Sequence, residues 1–136
     1  MLRRMVTEGE VRGFFGALER GEWSRLEELL AEDVVLEFPG ERFGGRFAGR
    51  RRVMVFLRQN QRLFRGGLHF EVRWAGSCGD RVVAEWTNRG VTRDGREYAN
   101  RGATVFVLRE GRVARIHDYL DTEIIRRTWP PREGGR

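Results

Sequence analysis

The chain has 136 residues, 40% hydrophobic and 34% charged, which is the size and composition of one globular domain. No apolar run approaches the roughly 20 residues that cross a bilayer, so we expect no membrane span. A signal peptide needs an apolar stretch near its start, but this sequence has Glu8 and Glu10 there, so no signal peptide is expected. The single cysteine, Cys78, excludes an internal disulfide and favours a reducing, cytoplasmic location.

The charge of the chain makes nucleic acid the first partner to consider, because the net charge is +6. All 26 basic residues are arginine, and they are scattered along the chain with acidic residues between them. The one tight cluster, Arg50 to Arg52, lies at a predicted helix start. We therefore expect a solvated basic surface and do not expect nucleic acid as a partner.

The first half of the chain has the period of amphipathic helices. A capping-box pattern at Thr7 and Glu10 begins the first helix, and Gly21 ends it. Its apolar stripe consists of Val11, Phe14, Phe15 and Leu18. The elements expected next are a short helix that carries Trp23 and Leu26, a strand over 34–38, a glycine-rich loop over 40–49, and a third helix over about 50–65.

The second half of the chain has the period of two that is typical of half-buried strands. Leu68, Phe70, Val72 and Trp74 alternate with polar residues. Turn signals at 76–80, 94–95 and 110–111 divide residues 68–120 into a meander of four antiparallel strands. Asp121 is expected to cap a last helix. Helices followed by a meander predict one α+β domain over residues 1–128, with residues 129–136 as a frayed tail.

The order of these elements and several short motifs resemble a known superfamily. The motifs are Gly21, Leu29-Leu30, Asp33 and Phe38–Gly40 in the first half, and Gly95–Asn100, Val105-Phe106, Glu110–Val113 and Asp118–Asp121 in the second. They resemble the SnoaL-like polyketide cyclase group of the nuclear transport factor 2-like superfamily. This resemblance implies a cone-shaped fold, in which a curved antiparallel sheet wraps helices around an apolar internal pocket. The fold hosts many reactions and also modules that only bind, so it does not by itself define a function.

The resemblance also allows known catalytic positions of the superfamily to be compared with this chain. Ketosteroid isomerases have a tyrosine and two aspartates at their catalytic positions. The positions of this sequence that resemble them are occupied by Phe14, Phe38 and Thr104, so all three catalytic groups are missing. Limonene epoxide hydrolases have an arginine and an aspartate where this chain has Trp86 and Asn88. Both of those mechanisms are therefore not expected. The acid on the last strand is kept as Asp118, where the SnoaL-like cyclases have their general base.

Strand parity predicts which side chains line the pocket, because alternate residues of a strand face the same side. If Asp118 faces inward, Ile116 does too, whereas His117 and Tyr119 face outward. The expected substrate-binding residues are Phe14, Phe38, Trp86, Asn88, Tyr98, Asn100, Thr104 and Leu120. An apolar cavity with a few converging polar groups is the usual form of a small-molecule site. The glycine-rich loop over 40–49 is interpreted as its lid.

The leading interpretation is an enzyme that performs cofactor-free acid–base chemistry on a small hydrophobic molecule. Burial would raise the pKa of Asp118 and make it a base, and Asn88 or Asn100 could donate to a developing enolate. In the alternative interpretation Asp118 pairs with an arginine and only holds its strand in place, and the protein is a non-catalytic binding or dimerisation module. No residues have convincing metal-ligand spacing, so neither a metal nor a cofactor is expected.

The face of the sheet opposite the pocket, called the outer face below, predicts a homodimer. Its residues are Ala99, Arg101, Ala103, Val105 and Val107 on the penultimate strand and Val83, Thr87, Val91, Val113 and Tyr119 on neighbouring strands. An apolar surface of this extent usually marks an interface, and a two-fold dimer is the commonest assembly. In the alternative, Arg89, Arg101 and Arg115 lay their aliphatic stems over this face.

Overall fold

The computed structural model describes residues 8–132, which form four helices and a six-stranded sheet. The helices are α1 (Glu8–Arg20), α2 (Trp23–Leu29), α3 (Arg50–Arg62) and α4 (Thr122–Thr128). The strands are β1 (Leu30–Phe38), β2 (Gly45–Ala48), β3 (His69–Cys78), β4 (Arg81–Val91), β5 (Glu97–Arg109) and β6 (Arg112–Leu120). Thr7, the first member of the predicted capping box, lies outside the described residues.

The strands are arranged in the order β2-β1-β6-β5-β4-β3. The predicted α+β fold is confirmed, and so is the meander, since β3, β4, β5 and β6 pair antiparallel in sequence. One pair differs from the expected antiparallel sheet, because β1 runs parallel to β6, with Leu36 opposite Ile116. Parallel neighbours need a long crossover connection, and here α3 and the first three meander strands supply it.

The hairpin turns lie where the sequence signals predict them. Gly95 has a φ of 90° and Gly111 a φ of 76°, and both belong to the left-handed region that glycine enters without strain. Thr92 closes the first of these turns, because its hydroxyl accepts from the backbone N–H of Arg96 at 2.9 Å. These tight turns keep the inward residues of β4, β5 and β6 in register.

The predicted glycine-rich loop contains a short strand. Residues 45–48 form β2, which pairs with β1 so that Phe47 lies opposite Leu36. Within β2 only Phe47 is partly buried. Its ring lies 4.3 Å from the Phe56 ring, measured between centroids. A four-residue strand with one partly buried side chain is too short to show a periodic pattern, and this is why the sequence indicated only a loop.

Two irregularities reverse the predicted side-chain alternation. The register of β3 and β4 shifts between Val72 and Trp74, so Trp74 turns to the outer side and is 55% exposed. A similar shift between Val107 and Leu108 turns Val113 inward, where it is 2% exposed. Both corrections have the same cause, since one extra residue in a strand moves every following side chain to the opposite face.

The core lies between the inner face of the sheet and the helices. The predicted stripe of α1 is confirmed, because Val11, Phe14, Phe15 and Leu18 are all buried. Phe14 and Phe15 both pack their rings on Phe106 of β5, at centroid distances of 5.4 and 6.0 Å. Gly102 of β5 allows close packing here, since a Cβ at this position would come within 2.2 Å of the Tyr119 carbonyl oxygen and 2.9 Å of the Trp86 indole ring.

The C-terminal end of the described chain is packed more firmly than the sequence suggests. Asp121 caps α4 as predicted, because its carboxylate accepts from the backbone N–H of Glu123 at 3.0 Å. Trp129, placed in the frayed tail by the sequence, instead packs its ring against Phe64 and Tyr98, with centroids 5.6 and 5.5 Å away. Residue 129 is therefore part of the folded domain.

Candidate functional site

A cavity of about 100 Å³ lies between the inner face of the sheet and helices α1 and α3. Its wall is mostly aromatic and aliphatic. Eight residues expected at the site lie on this wall: Phe14, Phe38, Trp86, Asn88, Tyr98, Thr104, Asp118 and Leu120. The structure thus places these side chains around one space, and their role in binding stays a prediction.

Asp118 lies two residues before the end of β6, directly opposite Thr104 of β5. The Thr104 hydroxyl donates to Asp118 Oδ1 at 2.6 Å, and the Trp86 indole Nε1 donates to the same Thr104 oxygen at 2.9 Å. An indole N–H can only donate, so the Thr104 hydroxyl must accept from Trp86 and turn its own hydrogen to Asp118. Trp86 and Thr104 therefore orient one oxygen of the carboxylate.

The surroundings of Asp118 favour its protonated form. Burial raises the pKa of the Asp118 carboxyl to about 6, while the hydrogen bond from Thr104 and the nearby His117 oppose this rise. The residue keeps some accessible surface because it lines the cavity, but protein atoms surround the carboxylate. Among residues 8–132, no arginine forms an ion pair with Asp118. The alternative in which Asp118 pairs with an arginine to hold its strand in place therefore lacks its cation in the described residues.

Asn100 differs from the other predicted site residues, because it does not line the cavity. Its Nδ2 donates to the Tyr98 hydroxyl at 2.9 Å and to the Asp121 carbonyl at 3.0 Å. Its Oδ1 accepts from the backbone N–H of Arg101 at 2.8 Å. The amide is thus occupied by bonds within the protein and is not available to a ligand. Parity predicted the inward direction of Asn100 correctly, but it carries no information about such partners.

Tyr98 keeps a hydrogen-bond donor free at the cavity wall. Its hydroxyl oxygen accepts from Asn100, and its own hydrogen has no acceptor among the bonds of the described residues. Burial is the main cause that raises the pKa of the Tyr98 hydroxyl. The phenol is therefore protonated at neutral pH and can donate to a ligand.

Several wall residues were missed by reasoning from the sequence. The clearest is Trp129, which closes one end of the cavity with Phe43, at a centroid distance of 5.6 Å. Arg42 holds this end together, since its Nε donates to the Trp129 carbonyl at 2.9 Å. One signal could have identified Trp129: it follows Ile125 by four residues and so continues the buried face of α4.

Four further polar side chains differ in their relation to the cavity. Asn60 of α3 lines the cavity. His117 lies on the outer face, where its ring stacks on Tyr119 at a centroid distance of 4.4 Å. His69 lies 3.7 Å from Glu19 and is largely exposed, and Cys78 is exposed. Within residues 8–132 no three His, Cys, Asp or Glu side chains come together as metal ligands would.

The α+β cone with a side-chain-lined cavity is the architecture of nuclear transport factor 2-like proteins. A family model for the SnoaL-like domain matches residues 11–116, which is more than half of the chain. The protein therefore belongs to the SnoaL-like domain family. The matched region ends two residues before Asp118, so the family match leaves the role of this acid to be argued from the structure.

Solved structures share the fold over most of their length. Bal32a from a soil-derived mobile gene cassette is 23% identical, with a TM-score of 0.81 over 88% of this chain and 92% of its own. A nuclear transport factor 2-like protein from Anabaena variabilis is 27% identical, with a TM-score of 0.74 over 82% of this chain and 84% of its own. A suggested polyketide cyclase from Xanthomonas campestris pv. campestris is 26% identical, with a TM-score of 0.70 over 85% of this chain and 90% of its own. No curated protein matches the chain.

None of the helices in residues 8–132 combines the length and the apolar character needed to span a bilayer.

Proposed function

We propose that this protein binds a small hydrophobic molecule in the cavity and moves a proton with Asp118 as general base, without a cofactor. The observation that supports this proposal most directly is the placing of Asp118, a carboxylate on an apolar wall with no arginine paired to it in the described chain. A pKa of about 6 means that Asp118 is mostly ionised at pH 7 and still basic enough to accept a proton.

The reaction that fits this arrangement is removal of a proton from the carbon next to a carbonyl group. The electron pair of the C–H bond moves to the carbonyl oxygen, Asp118 takes the proton, and return of the proton completes an isomerisation or an exchange. Of the two amides considered as donors to the enolate oxygen, only Asn88 lies on the cavity wall. Thr104 is a positioning residue, because its hydroxyl is occupied by Trp86 and Asp118.

Exchange of the α-hydrogens of cyclopentanone in deuterium oxide tests the proposal without knowledge of the natural substrate. This ketone has about six heavy atoms, a size suited to the cavity by comparison with the roughly 150 Å³ cavity of an engineered protein that takes up benzene. We expect the protein to accelerate the exchange measured by NMR above the rate in buffer at pH 7. An exchange rate equal to that of buffer, under conditions where the ketone binds, would contradict proton transfer.

A second candidate function is a module that binds its ligand without catalysis. The observation that favours it is the small volume of the cavity, about 100 Å³, since aromatic side chains fill most of the interior. This candidate predicts ligand binding with no exchange of ketone hydrogens. It also predicts that the same ligands bind after Asp118 is replaced by asparagine.

Tryptophan fluorescence is expected to report ligand binding. Trp86 is 3% exposed and lines the cavity with Phe38, as predicted. Trp129 also lines the cavity, so two tryptophans are placed to respond to a ligand. Each single change, Trp86→Phe or Trp129→Phe, should lower the response to toluene, and the double change should abolish it. Trp23→Phe serves as the control, and an undiminished response of the double variant would contradict these positions.

We also propose that the outer face joins two copies of the chain. Val83, Val105, Val107 and Tyr119 border a shallow groove on this face, and Tyr119 is 51% exposed. Val113, which was included in the interface, is buried inside the domain and is no longer part of it. Arg115 and His117 both lie near Glu37, at 3.6 and 3.5 Å, so part of the charge on this face is already paired.

Light scattering on two variants tests the dimer. Wild-type protein at micromolar concentration should have the mass of two chains, and Val105→Arg should have the mass of one, because a charge would be buried at the centre of the interface. Val55→Arg is a matched control, since Val55 is 47% exposed on α3. A monomeric wild type would contradict the proposal, and so would a dimer that Val105→Arg leaves intact.

A further inference from the structure

Asn88 lines the cavity and has a buried oxygen that the described protein does not satisfy. Its side chain lies on the inner face of β4 and is 7% exposed. Its Oδ1 is enclosed and has no hydrogen-bond partner among residues 8–132. Asn88 also lies on the cavity wall, so the side chain that carries the unsatisfied oxygen borders the space that a ligand would fill.

The residues directly opposite Asn88 on the two neighbouring strands cannot satisfy this oxygen. Asn100 is directly opposite on β5, and both ends of its amide are hydrogen-bonded, to Tyr98, Asp121 and Arg101. Phe70 is opposite on β3 and has no polar group. Tyr98 of β5 has a free hydroxyl hydrogen two residues further along, but it forms no hydrogen bond with Asn88 Oδ1.

An enclosed polar atom without a partner is costly, and most such atoms in folded proteins are paired. The other polar side chains of the inner face follow that rule, since Trp86 bonds to Thr104 and Thr104 bonds to Asp118. Asn88 Oδ1 is the exception among the described residues. An exception of this kind on a cavity wall is expected where a ligand supplies the missing group.

We propose that the ligand carries a hydroxyl or N–H group that donates to Asn88 Oδ1, on an apolar body of about six heavy atoms. This inference rests on the proposed function and narrows its substrate class to small neutral molecules of roughly the size of phenol. A cavity of about 100 Å³ is of the order of size that takes up a molecule with one ring.

Titration calorimetry with phenol and toluene tests the donor, because the two molecules have nearly the same shape and only phenol has a hydroxyl group. Wild-type protein should bind phenol more tightly than toluene. Asn88→Leu removes the amide at almost the same volume, so phenol affinity should fall about 5- to 10-fold, the usual contribution of one hydrogen bond. Toluene affinity should rise, and the preference should reverse.

Two further variants keep the result interpretable. Gln59→Leu also replaces an amide by an alkyl group, but on the exposed side of α3 away from the cavity, and it should leave the preference for phenol unchanged. Asn88→Ala should lose the preference as well, which provides a second test if Asn88→Leu does not fold.

Each outcome separates this inference from the proposal of catalysis. Preference for phenol that depends on Asn88, together with no exchange of cyclopentanone hydrogens, supports the donor and rejects proton transfer. Equal binding of phenol and toluene by wild type overturns the donor, and indicates that a water molecule satisfies Asn88 Oδ1, but leaves the exchange reaction intact. Binding of neither probe overturns the inference too.

Discussion

Asp118→Asn is expected to lose proton transfer while keeping the fold. Asparagine has nearly the shape of aspartate and can still accept the hydrogen bond from Thr104, but it cannot take a proton from a substrate. General-base catalysis contributes about 10²–10⁴-fold to rates, so the exchange of cyclopentanone hydrogens should fall by up to that factor, to the rate in buffer. NMR measures the exchange, and circular dichroism confirms that the variant is folded.

The matched control for this change is Asp80→Asn, which alters an exposed acid in the turn between β3 and β4. Its exchange rate should equal that of wild type. The wild-type rate should also rise with pH and level off above the pKa of about 6, because only ionised Asp118 is a base. An Asp118→Asn variant with wild-type rates would assign the reaction to another group.

The stability of the fold is expected to decrease with rising pH because of Asp118. The pKa of this carboxyl is raised from 3.8 to about 6 in the folded protein, so the folded state holds its proton more tightly than the unfolded state. The stabilising effect of that proton is complete below about pH 4 and is lost as the pH rises through 6. At pH 8 the folded protein contains a buried carboxylate, whereas Asp118→Asn contains a neutral amide.

The expected difference is large for a single side chain. A shift of about two pKa units corresponds to roughly 3 kcal/mol, so the variant should exceed wild type in free energy of unfolding by up to about 3 kcal/mol at pH 8. The difference should disappear near pH 4. Urea denaturation of both proteins between pH 4 and 8 measures it, and subtraction removes the titration of all other groups. A difference that does not depend on pH would show that the carboxyl titrates normally.

Thr104→Val provides a second measurement on the same acid. The hydrogen bond from Thr104 lowers the pKa of Asp118 against the effect of burial, so its loss should move the pH dependence to higher values. Valine has the same shape as threonine, and the change also leaves the Trp86 N–H without its acceptor. A general loss of stability is therefore expected in addition, and only the displacement along the pH axis reports on Asp118.

The sequence predicts most of the fold because its strongest signals are local. The Asp94-Gly95 and Glu110-Gly111 turns set the hairpins, and regular alternation between turns then assigns the faces of β4 and β5. The features that it does not predict depend on distant partners. β2 exists because β1 lies beside it, and the direction of β1 depends on β6, about 80 residues further along the chain. The extra residue before Trp74 has no marker in the sequence, so the exposed side of that ring was missed.

At the candidate site too, the sequence predicts what depends on local alternation and does not predict what depends on distant partners. Parity correctly placed Asp118, Thr104, Trp86 and Asn88 on the inner face, and all four line the cavity. Hydrogen-bond partners are a property of the assembled structure, and they distinguish Asn100, which is fully engaged, from Asn88, which is not. Which polar side chain is free for a ligand could therefore be learned only from the three-dimensional structure.

The central position of β6 also determines when the molecule can fold during its synthesis. β6 joins β1 on one side to β5 on the other, yet it is the last strand to leave the ribosome. Until residues 112–120 have emerged, the nascent chain can form the β1–β2 pair and the β3–β5 hairpins, but no strand connects them. The edges of β1 and β5 stay unpaired during that time, and unpaired edges are the parts of a sheet that associate with other chains. Contacts between distant residues slow folding, so these edges stay unpaired until β6 has paired with β1, across about 80 residues of chain.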